Sequence, residues 1–185
     1  MKKAIVIAAV AAAALLIWVG GALAVSGTAV PRYEPDPSWP KPLPNHWIMG
    51  QTIGVSVDAK DNVWIIHRAG SLEPGEQHAT TTPRTAMCCA PAPPILEFDK
   101  EGNLLNSWGG KGEGYDWPDS NHGITVDYKG NVWIGGNGEK DAQILKFTRD
   151  GKFLLQMGRA GGNKGSNDLD NFGRVAKIWV DPQTN

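Results

Sequence analysis

The sequence predicts an all-β protein assembled from repeated four-stranded antiparallel units, and three observations carry that prediction. The chain of 185 residues holds 23 Gly, 13 Pro and 8 Trp with 41% hydrophobic and 20% charged residues, a composition of short strands joined by many turns. GVSVDAKDNVWI (residues 54–65) aligns without gaps on GITVDYKGNVWI (residues 123–134), and eight of the twelve positions are identical. ILEFDKEGNLLNSWG (residues 95–109) aligns in turn on ILKFTRDGKFLLQMG (residues 144–158), with Phe98 matching Phe147 and Gly102 matching Gly151. Two matches in the same order mark one repeating unit.

Along the chain, Lys2 and Lys3 precede an uncharged run over residues 4–25, and Ala22-Leu23-Ala24 offers the small-x-small pattern of a signal-peptidase site. Residues 1–24 are therefore read as a signal peptide, or as a retained N-terminal membrane anchor, because such a run also suffices to cross a bilayer of ~30 Å. Either reading exports the protein, to the periplasm or the extracellular space, and the second attaches it to the membrane through residues 4–25. Residues 25–49, which include PRYEPDPSWPKPLPNHW, are expected to form a Pro-rich extended spacer. The repeat region occupies residues 50–185.

In the first unit, residues 50–110, strands are expected at 55–58, 63–67, 95–99 and 104–108, with Asp, Asn, Lys and Gly clusters at the turns. The alternation of Val55 with Val57 and of Leu96 with Phe98 fits strands with one buried face. Trp64 and Trp133 recur at one structural position and are expected to fill the core between units. A second unit covers residues 120–160. Four antiparallel strands repeating every ~40–50 residues indicate the blade of a β-propeller.

The offset between units falls from 69 (Gly123 against Gly54) to 49 (Ile144 against Ile95), so the first unit carries 20 extra residues between its second and third strands. They lie within an inserted loop at residues 69–94. Its adjacent Cys88 and Cys89 cannot clamp distant segments together. A vicinal disulfide, reduced thiols and a metal contact shared with His78 are the competing readings. A third unit starts within residues 172–185, where Asp181 and Asn185 match Asp127 and Asn131 at one offset. Two units and the start of a third cannot close a ring of ~4–8 blades, so the natural product is expected to be longer.

Positions where matched residues differ in chemistry are the places to seek a site. His122 stands where the other units have Ile53 and Ala176, just before an inner strand. His67-Arg68 ends a second strand where the next unit has Gly136-Asn137. The start of one hairpin strand and the end of the other share an end, so His122 and Arg68 are expected at the same mouth, from which the inserted loop also leaves and which it is expected to cover as a lid. By default a lone histidine is a hydrogen-bonding residue and a lone arginine a solvated cation. No role falls to His46, His67 or His78. The formal net charge of −1 leaves no basic footprint for nucleic acid.

The pattern G-(I/V)-x-V-D-x-x-x-N-V-W-(I/V), followed by I-L-x-F and a turn before the fourth strand, resembles the NHL-repeat β-propeller family from about Gly50 onward. NVWIIHR, SNHGITVDYKGNVWI and VAKIWVDPQTN are similar, more narrowly, to the peptidyl-α-hydroxyglycine α-amidating lyase group. That resemblance implies a six-bladed propeller and a zinc-dependent carbon–nitrogen lyase that splits a carbinolamide into an amide and glyoxylate. It implies Arg68 as the active-site arginine, His122 as one of three zinc-binding histidines, and the backbone carbonyls of Val55 and Ile124 as ligands of an axial calcium. The other two histidines, a tyrosine and an aspartate of the pattern would fall beyond Asn185. The alternative function is a non-catalytic propeller that binds a peptide, glycan or protein at the same mouth.

Overall fold

In the computed structural model, which describes residues 30–184, the chain divides into two units, residues 1–37 and Ser38 onward. The leader expected over residues 1–24 lies outside the described residues, and residues 30–37 are solvent-exposed. Among the described residues no helix is long and apolar enough to cross a membrane.

The larger unit holds two four-stranded antiparallel sheets. The first is built from β2 (Gln51–Val57), β3 (Val63–Arg68), β5 (Ile95–Phe98) and β6 (Leu104–Trp108), in that spatial order. The second is built from β7 (Asn121–Val126), β8 (Val132–Gly136), β9 (Gln143–Phe147) and β10 (Phe153–Gly158). A two-stranded parallel ladder joins β1 (Trp47–Ile48) to β4 (Ala90–Pro91). All eight strands of the two repeats thus form as antiparallel sheets, and neither sheet closes on itself.

The repeated V-D-x-x-x-N-V-W string makes the first hairpin of each sheet by the same local hydrogen bonds. In the first, Asp58 Oδ1 accepts from the backbone N–H of Lys60 and Asn62, while Oδ2 accepts from Asn62 Nδ2 and Trp64 Nε1. Asp127 repeats the set with Lys129, Asn131 and Trp133. A short carboxylate that bonds backbone two and four residues on replaces the missing ladder at the turn. The turn also needs a left-handed residue, which is Asp61 at φ 62° in one hairpin and Gly130 at φ 79° in the other. Asp tolerates that conformation better than most residues, which explains why the strings differ there.

Between the sheets, Trp64, Ile66 and Ile95 of the first meet Ile124, Val132, Ile134, Leu145 and Phe147 of the second, all fully or almost fully buried. Each such side chain stabilises the fold by about 1.5–3 kcal/mol. Gly54 and Gly123 set the spacing. A Cβ on Gly54 would lie 2.7 Å from the His122 carbonyl oxygen, and one on Gly123 would lie 2.6 Å from that of Ala176. Residues 175–181 pack beside β7 as β7 packs beside β2, with Thr125 Oγ1 donating to the Ile178 carbonyl at 2.6 Å. At the matched position of β2, Ser56 Oγ instead accepts from the Val126 N–H at 3.0 Å. Residues 172–181 themselves join no sheet.

The largest departures from the expected boundaries are at the starts of two strands and in the segment before the first sheet. Strand β2 begins at Gln51 and β7 at Asn121, because each inner strand continues past its glycine across a bulge to pair with the end of its neighbour. Residues 38–49 are not a spacer but part of the compact unit: Trp39, Leu43, Trp47 and Met49 cover Ile65, Leu96 and Phe98 on the face of the first sheet turned away from the second. Proline fixes φ without supplying a donor, so the segment reads as extended whether it is free or packed. The aromatic residues between the prolines decide which.

Candidate functional site

At one end of the two sheets the end of β3, the start of β7 and the loop after β8 converge. Arg68, the last residue of β3, donates from Nε to the Asn121 carbonyl at 3.3 Å and from a terminal nitrogen to Asn137 Oδ1 at 3.0 Å. Asn121 returns a bond from Nδ2 to the His67 carbonyl at 3.0 Å, so each strand end holds the other. His122 follows Asn121 in β7, which places Arg68 and His122 at the same end, one peptide apart across the inter-sheet seam.

His122 Nδ1 donates to the Ala176 carbonyl at 3.2 Å, which leaves the Nε2 lone pair for another partner. A histidine fixed by one nitrogen on a carbonyl and open at the other is the arrangement common among metal-binding histidines. Among the described residues no group of three His, Cys, Asp or Glu side chains stands close enough to hold a metal ion.

The Val55 and Ile124 carbonyls both point away from their own hairpins. Asp58 and Asp127 donate their N–H groups across the turns to Asn62 and Asn131, and strand groups alternate in direction, so residues 55 and 124 face the open edge. The Val126 N–H, on that same side, meets Ser56 of the neighbouring strand.

His67 belongs to the scaffold. It is fully buried, accepts from the Gly50 N–H at Nδ1 and donates from Nε2 to the Pro93 carbonyl at 2.9 Å. Burial holds its imidazole below the ordinary 6.5, and the Pro93 bond only partly offsets this. His67 thus ties the start of β2 to the end of the inserted loop.

That loop leaves through Ser71, whose hydroxyl donates to the Arg68 carbonyl and accepts from the Gln51 N–H. It then folds through three short 3-10 turns, Ala69–Ser71, Pro74–Glu76 and His78–Thr80. Its returning limb runs along β1, and Ala92 packs on the face of the first sheet away from the second. Cys88 and Cys89 are bonded to each other, and His78 Nδ1 bonds Thr85 Oγ1.

Beside this end of the sheets, a depression of about 660 Å³ is lined by Glu139, Asp141, Asp168 and Asn171 among others. Both of its aspartates serve the backbone: Asp141 accepts from the N–H groups of Asp119, Ser120 and Gly138, and Asp168 from those of Lys164, Asp170 and Asn171. The seam between the sheets is therefore the better candidate.

Asn121 and Asn137 did not stand out in the sequence as site residues. The available signal was that Asn137 is the repeat counterpart of Arg68 at an offset of 69. No family model matches the sequence, and no curated protein is significantly similar to it.

Proposed function

We propose that the two sheets are successive blades of an exported NHL-type β-propeller, and that the end holding Arg68 and His122 is its ligand mouth. The propeller reading is supported by the repeated lateral packing, in which β7 meets β2 as residues 175–181 meet β7. One observation carries the functional reading. The Arg68 guanidinium is half-buried and oriented by two neutral oxygens, and among the described residues it makes no ion pair. A planar donor held in this way suits a carboxylate.

The reaction is cleavage of an N-acyl-α-hydroxyglycine to an amide and glyoxylate. The C–N bond breaks, the hydroxyl proton passes to the departing amide nitrogen, and the carbinol carbon becomes the aldehyde. Arg68 binds the carboxylate and orients the carbinol carbon. In this reading His122, held by Ala176, would lend Nε2 as one zinc ligand, and the Val55 and Ile124 carbonyls would lend oxygens to calcium. Zinc bound there supplies Lewis acidity toward the substrate hydroxyl.

The second reading, a non-catalytic propeller that binds a peptide, glycan or protein, is favoured by His67, the other histidine at this end, whose two ring nitrogens are both taken up by the scaffold. Glyoxylate release from an N-acyl-α-hydroxyglycine separates the two. Release that is stimulated by zinc and lost in both Arg68→Ala and His122→Ala supports the lyase. Saturable binding of the same compound without release supports the binding module.

A further inference from the structure

Arg68 and Asn137 occupy the same position in consecutive repeats, and they touch. Asn137 Oδ1 accepts from Arg68 at 3.0 Å and from Ser120 Oγ at 2.9 Å, while the Asn137 N–H is bonded to the Ser120 carbonyl. Two donors on one oxygen fix the amide as an acceptor toward Arg68. The nearby carboxylate of Asp141 is 3% exposed and turned to three backbone N–H groups, so the loop is stiffened by an acid that does not compete for the guanidinium. An aspartate at position 137 would accept the same bonds and would also cancel the charge.

We propose that Asn137 is a positioning residue that holds Arg68 through an uncharged acceptor, so that its full positive charge remains available to a carboxylate ligand at the mouth. The proposal rests on the reading of this end as a ligand site. It explains why an amide, and not the stronger acid partner, stands opposite the arginine. A purely structural role would favour the acid, because a charge-assisted bond holds an arginine more firmly than a bond to an amide does.

The test is titration of the full chain with N-benzoylglycine and, in parallel, with its uncharged amide, followed by calorimetry and thermal melting. In Asn137→Asp the melting temperature should be kept or raised, affinity for N-benzoylglycine should fall roughly tenfold or more, and affinity for the amide should not change. Asn137→Ala should give a smaller loss and Arg68→Ala the full one. If Asn137→Asp binds the carboxylate as well as the parent does, or loses both probes equally, Asn137 is structural and the proposal is overturned. A parent chain that binds N-benzoylglycine but releases no glyoxylate from its hydroxylated form ends the lyase reading and leaves this one standing. A parent that binds neither probe overturns the proposal together with the mouth.

Discussion

The two sheets are built alike and joined unlike. Inside each, an aspartate, an asparagine and a tryptophan at matched positions close the first hairpin with matched bonds: Asp58, Asn62 and Trp64 in one, Asp127, Asn131 and Trp133 in the other. Where the sheets meet, matched positions diverge. Glu97 of the first is fully buried and takes a forked ion pair from Arg149 of the second, at 2.7 and 3.0 Å, with Asn62 on the same carboxylate. Its counterpart Lys146 stays within its own sheet, 3.6 Å from Asp127 and 4.5 Å over the Trp133 ring. Among the polar side chains, the set that repeats closes the first hairpin of each sheet, whereas the fork from Arg149 to Glu97 that ties the two sheets occurs at positions that do not repeat.

The strongest way to break that comparison is at the fork. Arg149→Ala strands the buried Glu97 carboxylate and should cost about 3–5 kcal/mol, read from urea unfolding. Its repeat counterpart Lys100 pairs only with exposed Glu101 at 3.7 Å, so Lys100→Ala should stay within about 0.5 kcal/mol. Equal costs would show that the unit boundary carries no special load.

Next come the glycines at which neighbouring strands touch. Gly54→Ala and Gly123→Ala each drive a Cβ against a backbone carbonyl that cannot rotate away, and each should lose about 1–3 kcal/mol. Gly130→Asp, which copies Asp61 of the first hairpin, should cost only about 1 kcal/mol. A tolerated alanine at position 123 would mean that residues 175–181 do not press on β7 in solution.

The smallest effects are in pH. Burial pushes the Asp127 carboxyl upward, but bonds from Trp133, Asn131 and the Lys129 N–H outweigh it and leave the group at about 2, below its ordinary 3.8. Asp58 is lowered by the same kind of set. A depressed carboxyl adds stability that is complete above the ordinary value and fades as pH falls toward the folded one. Unfolding midpoints should thus drop between about pH 4 and about pH 2, and less so in Asp127→Asn. His67 acts higher. Its lowered value keeps the buried ring neutral, so stability should begin to fall as pH drops below 6.5, and His67→Gln should remove that part of the slope. Gly136 stands at the matched position in the second sheet, so this component belongs to the first sheet alone.

By itself the sequence determined the strands, their pairing into two antiparallel sheets, the hairpin turns and the inserted loop. The turns follow from bonds between residues two to six apart, which a string such as V-D-x-x-x-N-V-W carries within itself, and the pairing and the inserted loop follow from aligning one repeat on the other. Only the tertiary structure decided that Arg68 is held by Asn121 and Asn137, that His122 leans on Ala176, that His67 is buried, and that residues 38–49 pack on the first sheet. Those contacts join residues 53, 69 and 54 positions apart for Arg68 and His122, close to the repeat length itself. The repeat places such pairs at one end. Which side chain then bonds which depends on how closely neighbouring strands approach, and glycine sets that distance only once the sheets are packed.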